Sequence, residues 1–376
     1  MQKAVGSPCL LQTLYNTKKM RRYDIDWLRV IAIGLLLIYH VAIGFQSWGG
    51  MIGFIPSTKP WAALWTPMAM LNVWRIPLLF FVSGMGVYFA MQQRTWKQLL
   101  TERTLRIALP FVFGMFAIVP LHILVWRYYY NMEPRYIYDP GHLWFLANIF
   151  IYVLVLSPLF FYLKKHEGSK AVQRFRTLFS SPFALVVVAL VFIAEALIIK
   201  PIPYELYAMT GHGFFLGLLA FFFGFCFVFS GERFWQMLIT WRWMLLVIAV
   251  GLFALRMYYF GLQTPVYLIV IESQAWIFSV LAFGHKHLNR NGKVLQYLSP
   301  AAYPVYILHM FFLFLGSVIV FPLEIPVQLQ FVLVLLFTLG GCLLSYEIIS
   351  LLSYEIIKRI KWLRIFFGMK LRANSA

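Results

Sequence analysis

Arg29 and His40 bracket a run of apolar residues, Val30 through Tyr39, broken by no charge. A guanidinium is suited to bidentate binding of phosphate or carboxylate. An imidazole titrates near neutral pH and can take a proton from a hydroxyl. Both groups are costly in lipid unless they are paired or used. On a helix rising 1.5 Å per residue they stand roughly 16 Å apart, one near a membrane surface and the other past the midplane.

Other polar residues sit in comparably apolar surroundings. Asp26 precedes Arg29 by three residues, so the two share a helix face and can pair. Arg103 and Arg106 repeat that spacing where a later apolar run begins, and with Arg29 they would form an anion site at one depth. Arg75 lies about two turns into the second run, and as a buried cation it would stand near His40. His142, His309 and His212, with Glu195 and Glu272, complete a polar chamber that lipid alone would not tolerate. No histidine pair has close ligand spacing, so no metal is expected. Cys9, Cys226 and Cys342 have neither metal nor redox spacing. Ser83 has no local base and makes a poor nucleophile.

These residues need elements to hold them. The chain has 376 residues, of which 62% are hydrophobic and 12% charged, which defines an all-α, polytopic transmembrane helical bundle. About ten membrane-length segments are expected, near 26–45, 68–91, 104–125, 142–163, 183–199, 212–229, 242–260, 266–285, 300–321 and 327–350. The net charge of +19 is spread through the loops and forms no single patch, so it points to no nucleic acid. Of the 32 lysines and arginines, only Lys59, Arg127, Arg135, Lys200 and Arg256 fall in alternate loops of one set. The positive-inside bias therefore places both termini in the cytoplasm. Residues 1–20 read as a weakly ordered segment, 21–355 as the transmembrane domain and 356–376 as a basic cytoplasmic tail on the anionic inner leaflet. Pro77, Gly84 and Gly86 predict a kink and close packing in the second segment. The loops 46–67 and 126–141, rich in Trp and Tyr, read as an interfacial aromatic belt or as a stacking surface for sugar rings.

The ordered motifs resemble the acyltransferase 3 family of integral membrane acyltransferases. Asp26-Trp27-Leu28-Arg29 with His40 is similar to the family's arginine, ten residues, histidine signature. Arg75-Ile76-Pro77-Leu78-Leu79-Phe80-Phe81-Val82-Ser83-Gly84 resembles its second-helix block. Arg103-Thr104-Leu105-Arg106 before Pro110, His142-Leu143-Trp144-Phe145-Leu146 and Tyr306-Ile307-Leu308-His309 resemble further motifs. The arrangement is similar to the branch that includes the membrane succinyltransferase of periplasmic glucans, without the soluble esterase-like domain of some members.

The resemblance implies acyl transfer from acyl-CoA, with acetyl-CoA or succinyl-CoA as donor, to a hydroxyl of an extracytoplasmic carbohydrate or lipid-linked glycan. It implies a multi-pass protein of a bacterial inner membrane, with His40 as catalytic residue. Arg29, Arg103 and Arg106 would hold the nucleotide end of the donor. Arg75 would steady the developing negative charge, and Glu272 or Glu195 would hold the other imidazole nitrogen. His142, Trp144 and His309 are expected to face the acceptor. A secondary transporter of a small anionic or sugar-like solute is the alternative, since intramembrane charge is equally its mark. No internal repeat and no matching pair of Gly/Pro-interrupted segments supports it. Oligomeric state is not legible.

Overall fold

In the computed structural model, residues 22–355 and 366 are described, and the expected N-terminal segment 1–20 and tail 356–376 lie outside them, Phe366 apart. Within that range the chain is helical, with no strand among the described residues. The helices are α1 (Tyr23–Ile43), α2 (Trp65–Asn72), α3 (Arg75–Met91), α4 (Trp96–Tyr129), α5 (Trp144–Lys165) and α6 (Lys170–Phe179). There follow α7 (Phe183–Ile199), α8 (Gly211–Phe229), α9 (Glu232–Phe260), α10 (Val266–Leu288), α11 (Lys293–Val320) and α12 (Val327–Glu355). Nine helical spans among the described residues are long and apolar enough to cross a membrane. Helix α7, the fifth expected segment, joins the amphipathic α6 through an 86° bend.

Helices α3 and α8 form the centre of the bundle, and glycine lets them touch. A methyl added at Gly84 would fall 1.9 Å from the Phe221 carbonyl oxygen, and one at Gly224 would fall 2.0 Å from that of Phe81. Each helix thus lays its backbone against a glycine of the other, the close approach that membrane helices use in place of hydrophobic drive. Phe81 stacks on Phe227 and Phe160 on Phe225, filling the space around that contact.

Four elements differ from expectation. The second segment is one span, Ala62–Met91, but its helical ladder is interrupted: α2 ends at Asn72 and α3 starts at Arg75, with the break at Val73 and Trp74. The freed Val73 carbonyl accepts from Ser273 Oγ at 2.7 Å and Tyr207 Oη at 3.1 Å, so other helices satisfy what the break exposes. Helix α4 starts well before residue 104, because Thr95 and Gln98 form a capping box. It contains two π turns, Thr104–Ala108 and Gly114–Ile118, each just ahead of a proline (Pro110, Pro120) that cannot donate to the helical ladder. Helices α9 and α11 also begin earlier than expected, so Arg242 rides on α9 and Pro300 and Pro304 lie inside α11.

Candidate active site

His40 occupies the last turn of α1. Its Nδ1 lies 2.9 Å from Nε2 of His309 on α11, with the rings nearly parallel at 11°. Nδ1 of His309 lies 2.6 Å from the carbonyl oxygen of Tyr306. A carbonyl can only accept, so with neutral rings His309 Nδ1 carries the proton and its Nε2 offers a lone pair. His40 Nδ1 must then be the donor, which leaves the lone pair of His40 on Nε2. The chain thus presents a fixed tautomer with an outward basic nitrogen.

His142 is tied to the same helix. Its Nε2–H donates to the Ile307 carbonyl at 3.0 Å, and Tyr306 Oη donates to its own carbonyl. Its ring stands edge-on to His309 with centroids 4.8 Å apart. His122 of α4 lies beyond, 5.6 Å from His142. His40, His122 and His142 line a cavity of about 490 Å³, together with Trp126, Trp144 and Phe145. Residues of the loops after α1, α4 and α7, among them Phe54, Asp139 and Met209, form its mouth.

Arg75, the first residue of α3, is fully buried, with its guanidinium 3.8 Å above the Tyr39 ring. Its Nε and Nη1 have no hydrogen-bond partner. It lies within electrostatic range of His40. The carboxylates expected beside His40 lie elsewhere. Glu272 takes Arg256 Nε at 2.7 Å and Nη2 at 2.9 Å, and Glu195 pairs with His212 Nδ1 at 2.9 Å. Buried charge must be paired, and these arginine and histidine partners are nearer. His40 is therefore oriented by another imidazole, and the carboxylates belong to a second polar cluster, which meets the first around Arg75, within electrostatic range of both His40 and Tyr207. The second is closed by the 200–210 segment, whose Tyr204 and Tyr207 are buried and whose Glu205 lies 3.7 Å from Arg256. Burial raises both tyrosine hydroxyls above their ordinary pKa, so each is a protonated donor.

At the other end of α1, Arg29 packs over Gly86 of α3 and lies 3.5 Å from Asp26. Arg103 is within electrostatic range of Arg29, Arg94 and Arg106. Glu102 bridges Arg94 and Arg106 at 2.9 Å each. Arg103 thus brings the three arginines singled out in the sequence into one electrostatic neighbourhood, with an excess of positive charge over Glu102 and Asp26. Tyr303 of α11 stands beside them, its hydroxyl buried without a partner. Helices α1 and α11 both run from this arginine cluster to the histidine pair.

His122 escaped the sequence reading, although its signal, an imidazole in the apolar run Val119–Ile123, was the one that exposed His40. No group of three or more His, Cys, Asp or Glu among the described residues is placed to hold a metal ion.

A helical bundle of membrane-spanning segments, with a buried histidine pair above an arginine cluster, defines a multi-pass membrane protein with an internal polar site. Residues 22–347 match the family model described as an acyltransferase domain (Acyl_transf_3), and the chain belongs to that family of membrane acyltransferases. Searches of curated proteins and of solved structures found no match.

Proposed function

We propose that the protein transfers an acyl group from cytoplasmic acyl-CoA to a hydroxyl of an extracytoplasmic carbohydrate or lipid-linked glycan, in a bacterial inner membrane. The observation that carries this is the His40–His309 pair: its hydrogen bonds leave a bare imidazole nitrogen on a cavity wall, above a cluster of arginines. In this reading the arginine-rich end faces the cytoplasm, as the loop charges favour. Arg29, Arg103 and Arg106 hold the phosphates of coenzyme A, and the pantetheine arm runs along α1 and α11 to bring the thioester to His40.

His40 Nε2 takes the proton of the acceptor hydroxyl as its oxygen attacks the thioester carbon. Arg75 supplies positive charge to the oxygen that becomes negative. When the carbon–sulfur bond breaks, the Nε2 proton passes to the departing thiolate, giving an ester and free CoA–SH. His309 is a positioning residue: it holds the tautomer and faces the imidazolium with a lone pair. His142 and Trp144 wall the space for the acceptor. Glu272 has no part in the proton transfer and serves through Arg256 to brace the second cluster.

The test is release of CoA–SH from labelled acetyl-CoA or succinyl-CoA by purified protein in detergent, without vesicles. His40→Ala is expected to cut the rate by about 10²–10⁴-fold, the usual range for a lost general base. Wild-type rates in His40→Ala would refute the assignment. One observation favours the transporter reading: the ladder of the α2–α3 span is interrupted at Val73 and Trp74, with Arg75 where it resumes, and transporters bind anions at interrupted helices. Solute uptake into proteoliposomes without bond cleavage would support that reading.

A further inference from the structure

Three buried polar atoms of residues lining the His40 cavity have no hydrogen bond. His122 and Trp126 are four residues apart on α4 and so lie on one face, a turn from each other. Both line the cavity that His40 enters. His122 is 6% exposed, and among the described residues its Nδ1 has no hydrogen-bond partner and its ring meets the aromatic rings of His142 and Phe314. The Trp126 Nε1–H is likewise buried without an acceptor. His142 Nδ1 is a third such atom, and it is a lone pair because Nε2–H is spent on Ile307. Leaving one such group unmade costs roughly 1–3 kcal/mol, so three around one cavity mark a place for a ligand.

The chemistry of these atoms selects the ligand. The His142 lone pair needs an O–H or N–H donor, the indole N–H needs an acceptor, and the His122 ring can meet either. A hydroxyl is both. A carboxylate or phosphate offers acceptors alone and would also meet Asp139 at the mouth. A quaternary ammonium offers no N–H. The faces of Trp126, Trp144 and Phe145 suit the C–H faces of a sugar ring. The cavity, at about 490 Å³, falls in the usual range for small-molecule sites. We propose that His122 and Trp126, with His142, form the subsite that docks an uncharged polyhydroxylated ring and turns one of its hydroxyls towards His40. This deepens, and for its reaction rests on, the acyl-transfer reading.

The test is thermal unfolding of the full-length protein in a sugar-free detergent. The probes are cellopentaose and maltopentaose, an acidic oligogalacturonate and choline chloride. At least one neutral oligosaccharide is expected to raise the Tm of both wild type and His40→Ala, while the acidic sugar and choline do not. His122→Phe and Trp126→Phe, which keep ring volume, are expected to abolish the shift; His122→Asn provides a second variant should the first misfold. In acyl transfer to the same oligosaccharide, each variant should raise KM at least tenfold with a smaller change in kcat. A shift with choline or the acidic sugar instead, no shift with either neutral probe, or a shift kept in both ring variants overturns the subsite. Transfer that persists in His40→Ala overturns the reaction and leaves the binding result standing.

Discussion

At the residue scale, the orientation of His40 depends on one lone pair, that of His309 Nε2. His309→Leu removes the acceptor and frees the imidazole to turn over, and kcat should fall on the order of 10²-fold or more. His309→Gln keeps a carbonyl oxygen that can accept from His40 Nδ1–H, so it should recover much of that loss. Equal loss in both variants, measured by CoA–SH release, would mean that His309 only fills space. The sequence exposed Arg29 and His40 because both lie on one helix, where spacing converts to distance. It could not expose the His309 hydrogen bond, which joins positions 269 residues apart. For the same reason Glu272 was expected near His40: its depth was legible, but Arg256, already within 2.7 Å of it, was not.

Elements set which of these groups can meet. The reciprocal contact of Gly84 and Gly224 predicts that alanine at either position will push α3 and α8 apart. Overpacking of a tight core costs typically about 1–3 kcal/mol, so Gly84→Ala and Gly224→Ala should each lower the thermal midpoint. Gly34→Ala is the control, since a methyl there meets nothing within 4 Å. A midpoint unchanged in all three would contradict the packing. Apolar run length located all nine spans among the described residues, though not where each starts, because burying backbone in lipid demands helix. It did not reveal the break at Val73, which depends on Ser273 and Tyr207 arriving from elsewhere to take the carbonyl. Nor did it reveal the π turns of α4, which lie between Arg103 and His122 and alter the faces those residues share.

For the whole molecule, sidedness is the property with the plainest readout. In a Cys9→Ser background, with Cys226 and Cys342 buried, single cysteines report exposure at each end. A membrane-impermeant maleimide should label Arg135→Cys in intact cells, but Lys165→Cys only after permeabilisation. The reverse pattern would turn the protein over and place the arginines outside. Arg103→Ala and Arg106→Ala should raise the KM for the acyl-CoA donor more than they lower kcat. The wild-type donor KM should also climb with ionic strength, as binding of a polyanion by guanidinium groups requires.

Arg29 and His40 ride the same uninterrupted helix, and that rigidity makes α1 a ruler. About 16 Å of helix rise separates the proposed anchor from the proposed base, and no hinge lies between them to shorten the gap. A donor carrying its acyl group directly on phosphate would leave its carbonyl stranded near the arginines. One whose thioester hangs on a long flexible tether would span the gap. In the proposed mechanism the acyl group must cover that rise, so α1 would sort donors by reach as well as by charge.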